Sequence, residues 1–269
     1  MRFFFRVSFL VIIHDCLFES KSDYWQLVWD DEFEGPLIDT NRWNFEIGDG
    51  CKYGICKWGN DEQQLYTDSI DNAFISDGKL IIQAQHIDNQ YTSARMITKG
   101  KGDWKFGKIE IRAKFPSGEG LLANIWLLPT YSRYGLWPAS GEVDIAARFG
   151  EKTGRSVSTI AHYGAVYPDH RHSRRDYTVN YPQPSFTEEF YTFTFEWEEN
   201  KMQWFINNVK VNELAGDETF PSKYIFPFNE KFHLTLSIAV GGRPVFGNIL
   251  ETVFPQRLEI DYIRVYQKK

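Results

Sequence analysis

The chain has 269 residues, of which 42% are hydrophobic and 17% aromatic, and its net charge at pH 7 is −6. This length suits one large β domain or two small ones, and the apolar content excludes a disordered chain. The acidic balance argues against broad nucleic-acid binding, which requires a basic face, so nucleic acid is not an expected partner.

The N-terminus has the pattern of a secretory signal peptide. A basic start is followed by a short apolar run over residues 3–13, which polar residues end. The run is too short to span a bilayer, so membrane insertion is not expected. We predict a signal peptide over residues 1–22, with cleavage between Ser20 and Asp23, and a single domain over residues 23–269 of a secreted, extracellular protein.

Three cysteines are present, and Cys16 lies in or beside the predicted signal. Its removal leaves Cys51 and Cys56, in a segment with two glycines that let so short a loop close. In an oxidising compartment this pair predicts a disulfide. Two free thiols are the alternative. Half of a metal site is disfavoured, because no further Cys or nearby His completes it.

Strand signals recur along the chain, and no long helical period stands out. Alternating or apolar runs typical of strands cover residues 79–85, 108–114, 191–197, 202–206 and 258–266. The Gly, Pro, Asn and Asp residues between the runs indicate turns, so we predict an all-β antiparallel sandwich.

Two shorter segments complete this outline. One short helix is expected over residues 184–189, because Ser185 is a suitable N-cap and Glu188 completes a capping box. The basic run at residues 170–175 is expected to be a solvated loop.

Two carboxylates mark the most informative strand, residues 137–147. Because side chains alternate on a strand, Glu142 and Asp144 point to the same face. A retaining glycosidase needs two carboxyl groups about 5–5.5 Å apart, one as nucleophile and one as acid/base. A single β-bulge between Asp144 and Ala147 would bring position 147 to that face as well, but its residue is alanine. Two acids on a strand are also ordinary solvent-facing residues, so this pattern alone leaves the function open.

Several segments in order resemble glycoside hydrolase family 16, in its laminarinase (endo-1,3-β-glucanase) branch. The central match is residues 137–145, Trp-Pro-Ala-Ser-Gly-Glu-Val-Asp-Ile, against that branch's Gly-Glu-Ile-Asp-Ile-x-Glu. The other matching segments are residues 28–33, 41–43, 58–67, 106–114, 125–129, 239–242 and 260–266. Because the matches follow one another over nearly the whole chain after the signal, the resemblance is specific.

The resemblance implies a two-sheet antiparallel β-jelly-roll sandwich (concanavalin-like) with a concave cleft for β-1,3-linked or mixed-linkage glucans. It gives Glu142 the role of nucleophile and Asp144 that of its assisting carboxylate. Trp126 and Trp137 look like cleft residues that stack on sugar faces. Polar substrate-binding positions in the cleft, each with a structural role as its alternative, are implied for Arg112, Asn60, Glu62 and His162.

The family often carries a structural Ca²⁺, although the sequence by itself does not suggest a metal. The resemblance implies Asp261 as a carboxylate ligand with Glu32 as its partner, since hard oxygen ligands suit this ion. No other cofactor is expected to be required. The expected partner is a β-1,3-glucan polysaccharide, and the expected state of the protein is a monomer.

The chain departs from the family's pattern at Ala147, where the acid/base glutamate belongs. The next residues, Arg148 and Phe149, also differ, and Ser237 stands where laminarinases usually have Asn. An alanine cannot protonate a leaving glycosyl oxygen, and general acid/base assistance contributes typically 10²–10⁴-fold. The pattern favours a glucan-binding relative with impaired turnover, similar to the β-1,3-glucan recognition proteins of invertebrate innate immunity.

Three alternatives stay open. The chain is an active endo-1,3-β-glucanase in which Glu151 or Glu119 substitutes through a rearranged loop, an active enzyme with an engineered or erroneous alanine, or a lectin-like jelly-roll protein without glucan specificity. The altered neighbours of Ala147 count against the second alternative. If the acid/base is the sole missing part, a glutamate restored at position 147 is expected to raise hydrolysis by orders of magnitude.

Overall fold

The computed structural model describes residues 24–165, 167–216, 221–243, 245 and 247–269. The predicted signal peptide lies outside the described residues. Within the described part of the chain, no helix is long and apolar enough to cross a membrane.

Strands are the main regular structure of the described chain, with short 3-10 segments at Cys51–Tyr53, Cys56–Gly59, Pro227–Asn229 and Ile249–Glu251. In chain order the strands are β1 (Trp25–Asp31), β2 (Asn44–Phe45), β3 (Gln64–Tyr66), β4 (Ala73–Ser76), β5 (Lys79–Ile87), β6 (Gln90–Ser93), β7 (Arg95–Ile97), β8 (Asp103–Trp104), β9 (Gly107–Lys114), β10 (Leu121–Pro129), β11 (Glu142–Arg148), β12 (Ser156–Gly164), β13 (His170–Thr178), β14 (Tyr191–Glu198), β15 (Lys201–Ile206), β16 (Val209–Ala215), β17 (Phe232–Val240) and β18 (Gln256–Lys268).

The strands form two sheets. One has ten strands in the order β16-β15-β14-β9-β18-β5-β6-β3, with β1 beside β18 and β4 beside β5. The other has eight strands in the order β13-β12-β11-β10-β17-β7-β2, with β8 beside β17. The strand pairs are antiparallel apart from β3 and β6, which run parallel. The predicted two-sheet jelly-roll sandwich is confirmed.

The core lies between the sheets and follows from the alternation of side chains along each strand. Ile109 and Ile111 of β9 in one sheet, and Ile125 and Leu127 of β10 in the other, are at most 2% exposed. Full burial of one such side chain stabilises the fold by about 1.5–3 kcal/mol. The residues between them point away from the core. For the eight-stranded sheet we call this second side the outer face, and β11 crosses its middle.

The five predicted strand runs are confirmed as β5, β9, β14, β15 and β18. The predicted helix is wrong, because residues 184–189 form a single turn in which Glu188 and Glu189 donate to the Ser185 carbonyl. The Glu188 carboxylate accepts from the Ser185 N–H at 2.7 Å, so the capping contact exists without a helix. The chain enters β14 directly afterwards.

The loop predicted at residues 170–175 is also wrong. These residues belong to β13, which pairs with β12 over nine residues. The loop was predicted from the polar composition of this segment. The composition is polar because β13 is an edge strand whose side chains are exposed or half-buried.

The predicted disulfide between Cys51 and Cys56 is present and joins two 3-10 segments. Trp58 follows it directly, is 5% exposed, and donates from Nε1 to the Gly48 carbonyl at 3.1 Å. The Arg95 guanidinium lies 4.5 Å from the centre of the Trp58 ring. The cross-linked loop thereby holds an aromatic ring against a charged residue of β7.

Candidate active site

A glycine delivers the chain into β11. Gly141 has φ of +83°, in the left-handed region where a side chain is strained. A Cβ atom there would also lie 2.9 Å from the Phe228 ring and 3.0 Å from Pro227. Glycine therefore permits the close turn that places Glu142 at the start of the strand.

The predicted β-bulge is present in β11. Asp144 pairs with Ile160 and Ala147 pairs with Ser158, so three steps along β11 match two along β12. The neighbouring strand β10 shows the same shift against β11. Because the extra residue resets the alternation, Glu142, Asp144 and Ala147 all lie on the outer face.

Asp144 is fixed by its neighbours. It is 2% exposed, accepts a hydrogen bond from Asn124 Nδ2 at 2.6 Å, and lies 3.1 Å from His162 Nε2. The Trp204 indole donates to the Asp144 carbonyl at 3.0 Å. Ser237 lies across from Asn124 on β17, so the amide beside Asp144 comes from β10.

Glu142 is the more exposed carboxylate of the pair, and it has a neighbouring side chain on each of two sides. Trp137 donates from Nε1 to Oε2 at 2.8 Å, and His162 Nε2 lies 3.8 Å from Oε1. Burial raises the pKa of Glu142 to about 7, with His162 opposing and Asp144 adding to the shift. Burial by itself lowers the pKa of His162, but Glu142 and Asp144 together hold it above its usual value.

Two further histidines extend this cluster, and the sequence interpretation missed them. His162 Nδ1 lies 2.8 Å from His170 Nε2, and the His170 ring centre is 4.6 Å from that of Trp137. His172 lies 5.5 Å from His170. Burial and the neighbouring imidazoles lower the pKa of His170 to about 4, so at neutral pH this ring is an uncharged support for His162 and Trp137.

Arg95 is a second residue that the sequence interpretation missed. Its guanidinium lies between two rings, 4.5 Å from the centre of Trp58 and 4.6 Å from that of Trp126, and pairs with Glu46 at 2.5 Å. Its charge also opposes, weakly, the burial that raises the pKa of Glu142. A lone arginine in the otherwise small and apolar run at residues 93–97 was the available signal.

The predicted polar residues Asn60 and Glu62 lie in a network beside Arg95. Glu62 is 8% exposed and accepts hydrogen bonds from Asn60 at 3.2 Å and Gln64 at 2.7 Å. Burial raises the pKa of Glu62, while the two hydrogen bonds and the Arg95 charge oppose that shift. These contacts support the outer face from one side.

The structure places Arg112 away from this site, so its prediction as a cleft residue is wrong. Arg112 lies on β9 of the ten-stranded sheet, pairs with Asp261, and lies over the Phe190 ring. Glu32 accepts two hydrogen bonds from Arg264, at 2.7 and 2.8 Å. Both predicted calcium ligands are thus paired with arginines, and the calcium site stays a prediction.

Among the described residues, one group has metal-ligating atoms close together. Ligand atoms of Glu142, Asp144 and His162 lie within 4.8 Å of one another. Their mutual contacts already account for this clustering, since the imidazole lies within 3.1 Å of one carboxylate and 3.8 Å of the other.

The other end of β11 holds Ala147, which lies across from Asn124 of β10 and Ser158 of β12. Ala147 is 1% exposed and packs in a cluster with Phe149, Ile160 and the partly buried Leu122. The Arg174 guanidinium lies 4.6 Å from the centre of the Phe149 ring. Position 147 therefore offers no carboxylate, and the alanine that stands there is covered by its neighbours.

The two glutamates predicted as substitutes are engaged in loops. Glu151 accepts hydrogen bonds from the N–H groups of Thr153 at 2.7 Å and Ser156 at 3.1 Å. Partial burial alone would raise the pKa of Glu151, but these hydrogen bonds hold it below its usual value. Glu119 accepts from the Asn248 N–H at 3.3 Å. A lowered pKa is the wrong direction for a proton donor.

Comparisons with known proteins agree with this geometry. The chain is 34% identical over 264 residues to glucan endo-1,3-beta-glucosidase A1 of Niallia circulans, covering 90% of this chain and 38% of that protein. It is 32% identical over 181 residues to the beta-1,3-glucan-binding protein of Penaeus monodon, covering 59% of this chain and 49% of that protein.

Solved structures show the same similarity. The laminarinase catalytic domain from Thermotoga maritima MSB8 matches with a TM-score of 0.82 and 40% identity, covering 91% of this chain and 99% of that one. The family model for glycosyl hydrolases family 16 matches residues 58–264. The chain therefore belongs to glycosyl hydrolases family 16.

Proposed function

We propose that this protein binds β-1,3-glucan across the outer face of its eight-stranded sheet and hydrolyses it slowly or not at all. One observation carries the proposal. Beside an ordered Glu142 and Asp144, the acid/base position is Ala147, buried at 1% exposure in an apolar cluster. Without a group that protonates the leaving oxygen, a glucan chain is a poor leaving group, and a rate loss of about 10²–10⁴-fold or more is expected.

The choice of ligand rests on aromatic residues and on relatives. Trp137 is 40% exposed beside Glu142, and Trp126 lies next to Asp144 on β10. Flat rings of this kind suit the C–H faces of glucose. The relatives bear names of β-1,3-glucan-hydrolysing and β-1,3-glucan-binding proteins, so both binding and cleavage have precedents on this scaffold.

We propose an extracellular location. The signal-peptide pattern of residues 1–22 supports it, and so does the Cys51–Cys56 disulfide, because disulfides persist in oxidising compartments. Recognition of microbial β-glucan is the use that fits a secreted binder of this kind.

Titration with laminarin tests binding, and product analysis tests turnover. We expect a saturable change in tryptophan fluorescence, because Trp137 is exposed at the site. Mass spectrometry after long incubation with laminarin and with mixed-linkage glucan should show little or no released oligosaccharide. Steady release of oligosaccharides at ordinary enzyme concentration would overturn impaired turnover, and a flat titration would favour a lectin-like protein without glucan specificity.

An active endo-1,3-β-glucanase is the second candidate. The ordered arrangement of Glu142, Asp144 and His162, with His162 Nε2 at 3.8 and 3.1 Å from the two carboxylates, favours it. The same product analysis separates the two candidates, because a substitute acid would give steady release.

A further inference from the structure

Three histidines lie together at the edge of the outer face. His170 and His172 are two residues apart on β13, so their side chains leave the strand on the same side. His172 lies directly across from His162 of β12, which in turn lies across from Glu142. The ring centres are 5.0 Å apart for His162 and His170, 5.5 Å for His170 and His172, and 6.0 Å for His162 and His172. The three rings therefore form a triangle that one small ligand can reach.

The hydrogen bonding of His162 directs one of its nitrogens into this triangle. His162 Nε2 lies 3.1 Å from Asp144 Oδ2, and because a carboxylate accepts hydrogen bonds, Nε2 carries the hydrogen. In the neutral ring Nδ1 is then an acceptor, and it faces His170 Nε2 at 2.8 Å. Histidines that bind metal ions almost always donate their other ring N–H to a partner such as a carboxylate. Asp144 is itself held by Asn124, so this second layer of a metal site is already in place.

The distances between the rings suit a transition-metal ion after a small movement. Two nitrogens that bind a tetrahedral zinc ion at about 2.0–2.1 Å lie roughly 3.3 Å apart, so His162 Nδ1 and His170 Nε2 must separate slightly. His172 is exposed, and rotation of its side chain supplies a third nitrogen. Imidazole ligands suit zinc, copper and nickel, whereas magnesium and calcium prefer oxygen.

The charges around the rings favour a cation. Asp144 and Glu142 lie 3.1 and 3.8 Å from His162 Nε2. Arg174, the nearest arginine on the same face of β13, is paired with Asp176 at 2.7 Å. Its charge is therefore partly offset, and the two carboxylates behind His162 dominate the surroundings of the triangle.

The rings on β13 are in the protonation state that binds metals. Burial and the neighbouring imidazoles lower the pKa of His170 to about 4, and burial also lowers the pKa of His172. Both rings are neutral at pH 7, as a metal ligand must be. Burial lowers the pKa of His162 too, but Glu142 and Asp144 together hold it above its usual value. An ion bound at this ring therefore competes with a proton.

We propose that His162, His170 and His172 bind one divalent ion of the late transition metals, such as Zn²⁺. The ligand atoms are His162 Nδ1, His170 Nε2 and one ring nitrogen of His172, and Asp144 orients His162 from behind. The site is independent of the proposed function, because no sugar takes part in it. It lies beside Trp137, whose ring centre is 4.6 Å from that of His170.

Isothermal titration with zinc chloride tests the site. The full chain, purified without a histidine tag and freed of metal with a chelator, is titrated at about pH 7.5, where protons compete little for imidazole. We expect one Zn²⁺ per chain with a dissociation constant of micromolar order. Mg²⁺ should not bind at the same concentration. Cu²⁺ should quench part of the tryptophan emission, because Trp137 stands beside His170.

Three substitutions and one control locate the ion. His170→Ala and His172→Ala, on the edge strand, should each weaken Zn²⁺ binding by about 10–100-fold, at least the loss that an outer partner of a ligand causes. His162→Gln keeps a donor for Asp144 and should weaken binding as much. His86→Ala, at an exposed histidine of β5 in the other sheet, should bind Zn²⁺ like the parent. Circular dichroism shows that each variant is folded.

Four results would overturn the inference. A parent chain that does not bind Zn²⁺ has no such site, and laminarin binding by that chain would leave the proposed function standing. Unchanged affinity in both β13 variants would place the ion elsewhere. Unchanged affinity in His162→Gln would reduce the site to two exposed rings without Asp144 behind them. An equal loss in His86→Ala would mean adventitious binding to surface histidines only.

Discussion

The two ends of β11 lie on one face of one sheet and are built by opposite means. At the Glu142 end, carboxylates are held by hydrogen bonds from Trp137, Asn124 and nearby His162. At the Ala147 end, side chains meet through apolar packing. The difference shows that one end of the strand keeps two ordered carboxylates, while position 147 at the other end is a covered alanine.

The largest effect is expected from breaking the polar end. Asp144→Ala should lower the free energy of unfolding by about 3 kcal/mol, because it leaves the Asn124 amide and His162 without their acceptor in a buried place. Urea denaturation measures the loss. Asp176→Ala, which removes an exposed carboxylate from the same sheet, is the matched control and should cost less than about 1 kcal/mol. Equal losses would mean that the polar end is no more tightly built than the sheet edge.

A glutamate restored at position 147 is not expected to restore hydrolysis without a second substitution. Ala147→Glu should cost about 2 kcal/mol of stability, because a longer side chain enters a position that is 1% exposed, and laminarin hydrolysis should stay near the parent's. The combination with Phe149→Ala opens space and should raise hydrolysis by about 10²-fold or more over Ala147→Glu. Reducing-sugar assays with melting curves check both, with Phe149→Ala alone as control. Full activity of Ala147→Glu alone would mean that the packing around position 147 leaves room for a working carboxylate.

The charge on Glu142 gives the polar end a pH dependence. The pKa of Glu142 in the fold, about 7, lies above the usual value of 4.5, so protonated Glu142 favours the folded state. That stabilisation is complete below about pH 4.5 and is lost as the pH rises through about 7.

Glu142→Gln removes this titration. Relative to the parent, the variant should gain about 2 kcal/mol of unfolding free energy between about pH 5 and pH 8. Urea denaturation of both proteins across this range checks the gain. Parallel stability curves would place Glu142 in contact with water.

The smallest expected effect concerns ligand binding. If the Trp137 ring stacks on sugar as proposed, Trp137→Ala should weaken laminarin binding by about 1–2 kcal/mol, and it should hardly change the melting temperature because 40% of the residue is exposed. Calorimetric titration measures the change. Tyr181→Ala, at an 87% exposed aromatic, is the control and should bind like the parent. If Trp137→Ala lowered the melting temperature more than it weakened laminarin binding, the ring would have a structural role instead.

The sequence predicted the sandwich and the part of the site that lies on β11, because side-chain alternation and local spacing carry that information. The bulge, the Glu142–Asp144 pair and the disulfide are all local patterns within a few residues. Arg112 was misplaced for the opposite reason. Alternation says that its side chain leaves the core, but it does not say on which of the two sheets.

The missed residues depend on contacts across strands. Arg95 lies on a three-residue strand, and its partners Trp58 and Trp126 come from two distant segments. Phe149 packs in the same cluster as Ala147, and Arg174 of the edge strand, a segment predicted as a loop, lies over the Phe149 ring. Neither arrangement has a period or a spacing that a sequence displays.

The bulge in β11 separates one strand into two independently adjustable halves. In a regular strand the side-chain directions of all outward positions are linked, so a shift at one end would also move Glu142. Here the surplus residue absorbs such a shift, because both Ile145 and Ala146 anchor inward. Substitutions at positions 147–149 are therefore expected to leave the orientation of the Glu142 carboxylate unchanged.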